Sequence, residues 1–243
     1  MRDFLLDLVE HSFDLGCIDL IKITGTDKET TIDGLAEDKS VVLQAKFKTP
    51  VAEFMGTFGM PNLSKLKILL NLQEYREDAD ITVTRQDRNG VDSPVGMHFA
   101  NKADDFHNDY RFMVSEVVSD KLKQVKMKPV NWTVEFEPTV AAIQRLKMQA
   151  KANSEETTFT AKTEDDNLKF YFGDHSTHAG NFVFHPGVTG KLTRAWLWPV
   201  KQFISIMELT GDKKVQISDD GATKITVDSG IAVYEYILPA QSK

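Results

Sequence analysis

Two pairs of amphipathic helical segments recur in this chain at one spacing, and that duplication limits the available folds more than any other feature. Asp3 to Phe13 places Leu5, Leu8 and Val9 along one helix stripe, and Asn62 to Gln73 repeats this with Leu63, Leu66 and Leu70. Thr139 to Ala152 aligns Val140, Ile143, Leu146 and Ala150, and Pro199 to Leu209 aligns Val200, Phe203, Ile204 and Met207. Each helix of the second pair starts about 137 residues after its counterpart, the mark of a duplicated unit without an obvious residue-level repeat. Asn62 is a suitable N-cap, and Pro199 suits a first helical turn.

Strand patterns surround both pairs. Leu168, Phe170 and Phe172 alternate with Lys169 and Tyr171, and Ile225 and Val227 alternate with Lys224 and Thr226. This is the period of two expected of half-buried strands. Ile18 to Ile23 forms a further apolar strand. Asn89-Gly90 and Asp220-Gly221 supply hairpin turns, and Glu164 to Asn167 a polar one. Strands following strands, with two helices per unit, predict an α+β chain of two similar domains with helices packed on antiparallel sheet. The domains are expected at 1–118 and 131–243. Between them, 119–130 carries Lys121, Lys123, Lys126 and Lys128 without a period and reads as an extended connector.

The chain has 243 residues, 41% of them hydrophobic, enough for one large core or two small ones. No apolar run approaches the roughly 20 residues that span a bilayer, so no membrane association is expected. Asp7 and Glu10 interrupt the first apolar stretch, which excludes a secretory signal pattern. The single cysteine, Cys17, cannot form an internal disulfide and reads as an inert residue before a strand, consistent with a reducing cytoplasm.

Catalytic signatures are missing: no phosphate-binding glycine loop, no GxSxG elbow and no HExxH helix occur. Asp174 to His178, with His185 beyond, is the one tempting constellation. It falls in an expected inter-strand turn, and a metal site needs three or four convergent ligands. The acidic runs Glu164-Asp165-Asp166 and Asp219-Asp220 read as solvated hairpin tips. No cofactor, no metal and no enzymatic turnover are expected.

The C-terminal third carries a resemblance. Arg194-Ala195-Trp196-Leu197-Trp198-Pro199-Val200-Lys201 leads into a helix ending Met207-Glu208-Leu209. After it come Lys214 to Gly221, Lys224 to Gly230 and the tail Ala232 to Ala240. This order resembles the end of a DNA polymerase sliding clamp of the T4-like bacteriophage type, and Tyr236-Ile237-Leu238-Pro239-Ala240 is similar to the tail of eukaryotic and archaeal clamps. From Trp132 onward the chain resembles the family nearly throughout; the first half agrees in element order.

The resemblance implies a homotrimeric ring of two-domain subunits that encircles duplex DNA without reading its sequence. Such a ring tethers a DNA polymerase and is opened by an ATP-dependent clamp loader, here in the cytoplasm of an infected bacterial host. It implies that Lys65, Lys67, Arg145, Lys147, Lys151 and Lys201 face the DNA. It also implies that Val125, Met127, Tyr236, Leu238 and Pro239 receive partner peptides under the connector. A net charge of −7 fits only if cations line the hole while carboxylates cover the outside. The first helix breaks this pattern, with Asp3, Asp7 and Glu10 against Arg2 and His11. Each lysine also reads as an ordinary solvated helix face, and Tyr236 and Leu238 equally as the end of a core strand. Three other readings are a clamp-fold accessory factor that forms no ring, a metal-dependent hydrolase using His175, His178 and His185, and a structural virion protein.

Overall fold

The computed structural model describes residues 1–88, 90–123, 129–174 and 178–241. The chain divides into two compact units, residues 1–125 with 229–234 and residues 126–228 with 235–243.

In the first unit α1 (Arg2–Glu10) and a 3-10 turn precede three antiparallel strands, β1 (Leu20–Gly25), β2 (Thr30–Leu35) and β3 (Val42–Phe47). β4 (Gly56–Pro61) returns beside β1 and leads into α2 (Leu63–Asn71). A separate antiparallel sheet holds β5 (Asp80–Arg88), β6 (Val91–Ala100) and β7 (His107–Arg111). β8 (Met113–Val114) pairs with β4 and runs into the short α3 (Ser115–Lys121). The larger sheet therefore has the order β8-β4-β1-β2-β3.

Leu5, Leu8 and Val9 of α1 and Leu63, Leu66 and Leu70 of α2 are buried, as their spacing requires, along with Ile21, Ile23, Ile32 and Leu43 of the strands. Each such side chain contributes about 1.5–3 kcal/mol on burial. Arg2 ties the helices together, its Nε donating to the Tyr75 carbonyl at 3.1 Å and Nη2 to the Leu70 carbonyl at 2.9 Å. A cation on the last carbonyls of a helix also offsets its dipole. At Gly25 a Cβ would lie 2.0 Å from the Phe54 carbonyl oxygen, so only glycine lets the 3-10 turn Ala52–Phe54 close on β1.

The second unit repeats the theme. It contains β9 (Val134–Phe136), α4 (Val140–Ala152), β10 (Thr158–Glu164), β11 (Asn167–Phe172), β12 (Gly180–Pro186) and β13 (Leu197–Pro199). α5 (Val200–Glu208), β14 (Asp212–Ser218), β15 (Ala222–Asp228) and β16 (Ala232–Pro239) complete it, although β16 up to Tyr234 belongs to the first unit. Strand orders are β12-β11-β10-β13 and β16-β15-β14-β9. The core is aromatic. Phe203 of α5 meets Phe159 edge-on at 5.1 Å and Phe170 at 5.7 Å, while Phe170 stacks on Phe184 at 4.3 Å. The β10–β11 turn has both central residues, Asp165 and Asp166, left-handed (φ 49° and 59°), the geometry that matches a two-residue hairpin.

Several sequence expectations need correction. Val140 does not face the core but is 76% exposed; Ala142 and Leu146 are the buried residues of α4. The apolar count misled because α4 seats itself partly through polar groups, Gln149 and Asn153. Asn62 precedes α2 but is left-handed (φ 57°) and makes no capping bond; Asp19 Oδ1 instead accepts from the Ser64 N–H at 3.2 Å. Pro199 is the residue before α5 rather than within its first turn. Ser119 to Lys121, expected in an extended connector, are helical in α3, where Val118 packs over Gly59. The expected strand at Ile18 starts at Leu20, and Asn89 lies outside the described residues.

Gly25→Ala tests this frame. The added methyl must push the Phe54 backbone away from β1, and overpacking of this kind costs about 1–3 kcal/mol. Urea unfolding should show that loss; unchanged stability contradicts the close approach.

Candidate nucleic-acid interface

A polyanion-binding surface needs cations held outward on rigid elements, and the two helix pairs hold their cations in different ways. On α2 the buried leucines leave Lys65 fully outward, while Lys67 pairs with Asp14 at 2.6 Å and lies 5.9 Å from the Phe13 ring. α2 itself carries no carboxylate. The acid expected to spoil α1 is largely turned inward. Asp7 accepts from the Tyr234 hydroxyl at 2.6 Å, its side chain is only 9% exposed, and His11 lies 3.5 Å away. His11 is buried and stacks on Tyr234 at 4.4 Å. Only Asp3 remains exposed on α1, with Glu10 half-buried.

In the second unit α4 holds Arg145, Lys147 and Lys151 and no carboxylate. Thr139 anchors its start, its hydroxyl accepting from the Ala142 N–H at 3.1 Å. These cations do different things. Lys151 is exposed, as is Lys201 on α5, and among the described residues neither has a carboxylate partner. Lys147 pairs with Glu208 at the end of α5. Arg145 leans toward β12, donating from Nη1 to the Val183 carbonyl at 3.3 Å with its guanidinium 5.4 Å from the Phe182 ring. Gln149 Nε2 reaches the Asn181 carbonyl at 3.4 Å in parallel.

The remaining site expectations divide in the same way. Tyr236 and Leu238 are fully buried in β16, which fits a core strand, whereas Pro239 is exposed. Val125, Met127 and His175 lie outside the described residues. His185 packs 5.0 Å from the Phe136 ring, and no group of three metal-ligating side chains occurs among the described residues.

Both acidic runs have structural work. The Tyr171 hydroxyl and the Lys169 ammonium hold the Glu164 carboxyl below its usual range, while burial and that same bond push Tyr171 up to about 12. Asp219 accepts from the N–H groups of Thr193 and Arg194, each at 2.9 Å. Burial alone raises its carboxyl, but these bonds and the Thr193 hydroxyl outweigh it and hold the group low.

Sequence reasoning missed Glu208 as the partner of Lys147 and missed two exposed apolar residues on the helices, Ile68 (62%) and Met148 (67%). The signal for both was available: neither Ile68 nor Met148 falls on its helix's leucine stripe.

No family model matches the sequence, and no curated protein matches it. Solved structures do. The structure of the C-terminal region of FEN-1 bound to A. fulgidus PCNA superposes with a TM-score of 0.72, covering 100% of this chain and 97% of that one at 8% identity. PCNA from Thermococcus kodakaraensis gives 0.68 over 99% and 97% at 10% identity. The chain has the fold of a sliding clamp. At these identities the likeness is one of fold, and it runs the full length of both chains rather than one domain. No helix among the described residues is long and apolar enough to cross a membrane.

The half-exposed Lys147–Glu208 pair of this clamp fold should contribute little to stability, at most about 1 kcal/mol. Glu208→Gln is therefore expected to leave the denaturation midpoint nearly unchanged. A loss above about 2 kcal/mol shows that the pair is coupled to the core.

Proposed function

We propose that this protein is a ring-forming sliding clamp, a homotrimer that encircles duplex DNA and holds a replicative DNA polymerase on its template. The observation that carries this reading is the full-length match to two PCNA structures, over 100% and 99% of this chain. The cation-bearing, carboxylate-free α2 and α4 support it, because basic helix faces on a chain of net charge −7 localise attraction for phosphates. A sliding ring has no use for base-edge contacts, and lysines, which reach phosphates as point charges, suit that task. Such a clamp acts with an ATP-dependent loader and performs no chemistry of its own. The T4-like sequence order supports a bacteriophage origin and work in the cytoplasm of an infected host.

The DNA-facing set under this reading is Lys65, Lys151 and Lys201, with Lys67 and Lys147 shared with carboxylates. Pro239 and the connector residues Val125 and Met127 are the proposed partner-peptide contacts. Tyr236 and Leu238 are buried in the core of β16, so they are not offered as contacts.

Two measurements test the reading. With a loader, ATP and its cognate polymerase, the protein should extend synthesis on a primed circular template many-fold; no stimulation with active partners contradicts the function. The double variant Lys147→Glu, Lys151→Glu should weaken processivity most at low salt, where the field is least screened. Its fold should persist, since Lys151 is exposed and exchanging the half-exposed Lys147 beside Glu208 costs about 1 kcal/mol. Glu164→Gln with Asp165→Asn serves as the control. Intact processivity in the lysine variant at every salt concentration removes those side chains from the DNA path.

A further inference from the structure

Independently of the ring reading, we infer that the outer edge of β5 receives an extended, basic segment of another protein, which adds a short antiparallel strand there. A difference between the two units leads to this. Each unit runs through the same elements in the same order. In the first these are α1, β1, β2, β3, β4, α2 and the β5–β6 hairpin; in the second, α4, β10, β11, β12, β13, α5 and the β14–β15 hairpin. The pairings agree as well, since β1 lies between β2 and β4 as β10 lies between β11 and β13. β14 is therefore the counterpart of β5.

The two counterpart edges are finished differently. β14 is covered by β9, whose Val134, Glu135 and Phe136 lie antiparallel to Ile217, Gln216 and Val215. Val134 and Phe136 are buried there, and Glu135 pairs with Lys214 at 2.6 Å. β5 instead ends its sheet, and among the described residues no further strand or backbone group bonds its outer side. An open edge is a template for another strand, and the second unit shows the form that cover takes in this fold.

The edge also faces a groove, and the groove has a sign. About 620 Å³ of space lies between β5 and the 3-10 turn Ala52–Phe54. Ile81, Val83 and Met55 line it with apolar surface, and Glu53, Asp80 and Asp92 with carboxylates. Arg85 spans it, its Nη2 donating to the Met55 carbonyl at 3.0 Å while its Nε donates to Asp92 at 2.6 Å. That pairing neutralises the cation of the groove. Glu53 and Asp80 are exposed and have no cationic partner among the described residues. The register of β5 against β6 shifts between Thr84 and Arg85, so the regular open stretch is Asp80 to Thr84, long enough for a strand the length of β9. The fitting occupant keeps the alternation of β9 with its charge inverted: apolar, basic, apolar. A second copy of this chain does not fit, because two β5 edges would bring the same carboxylates together.

The probe is a fluorescent, end-blocked peptide of alternating valine and lysine, titrated into the full chain and followed by anisotropy. Saturable binding is expected, and the double variant Glu53→Gln, Asp80→Asn should weaken it at least about fivefold, with circular dichroism checking the fold. Successive N–H groups of a strand point to opposite edges, so methylating the valine nitrogens blocks one edge of the peptide and methylating the lysine nitrogens blocks the other. One methylated peptide should bind nearly as well as the parent and the other should not bind. Equal binding by both reduces the attraction to charge alone and overturns the added strand. Hydrogen exchange should slow in Asp80–Arg88 when the peptide is added. Slowing confined to other strand edges overturns the site, and slowing with protein concentration alone makes a second copy the occupant and overturns the proposal. Absence of saturable binding overturns it too, and none of these results bears on the ring reading.

Discussion

Phe203 wedges α5 against Phe159, Phe170 and Phe184, and the leucines of α1 and α2 do the equivalent work in the first unit. Everything else rests on this burial. Once a helix commits one apolar face to a sheet, its outward face is fixed in direction and its charge becomes free to serve a partner. Truncating a buried phenylalanine in such a cluster costs about 3–5 kcal/mol, whereas exchanging an outward lysine costs almost nothing. Buried apolar surface and outward charge are thereby written on opposite sides of the same helices.

That separation explains how an acidic chain carries basic surfaces. α2 and α4 hold no carboxylate, Asp7 is drawn inward by Tyr234, and the surplus acid gathers in places such as the segments around β7. The arrangement is graded. Lys65, Lys151 and Lys201 stand without carboxylate partners among the described residues, while Lys67 and Lys147 are shared with Asp14 and Glu208. Under the proposed clamp reading, partial neutralisation suits a ring that holds DNA and still moves along it, since each phosphate contact adds to the cost of the next step.

Strongly periodic segments were legible in the sequence. The stripes of α1 and α2 and the alternation of β11 and β15 follow from local pattern, and a hairpin follows from Asp220-Gly221. α4 was harder to read, because it meets β12 through Gln149, which reaches the Asn181 carbonyl, and through Asn153 beside Gly180, and hydrophobic counting undervalues such groups. Arg145 could not be placed from sequence for the same reason: its direction depends on a carbonyl 38 residues away. Tyr236 and Leu238 alternate as edge or core residues alike, and only the neighbouring strand decides that they are buried.

The proposed function is topological: a clamp surrounds DNA instead of adhering to it. The most direct measurement loads labelled protein onto nicked circular duplex with a loader and ATP, isolates the complex at high salt, and then linearises half of the sample. Protein that stays on the circles and runs off the linear molecules, and is held again when the linear ends are blocked, is the predicted result. Equal loss from circles and linear DNA as salt rises contradicts encirclement and leaves only surface electrostatics.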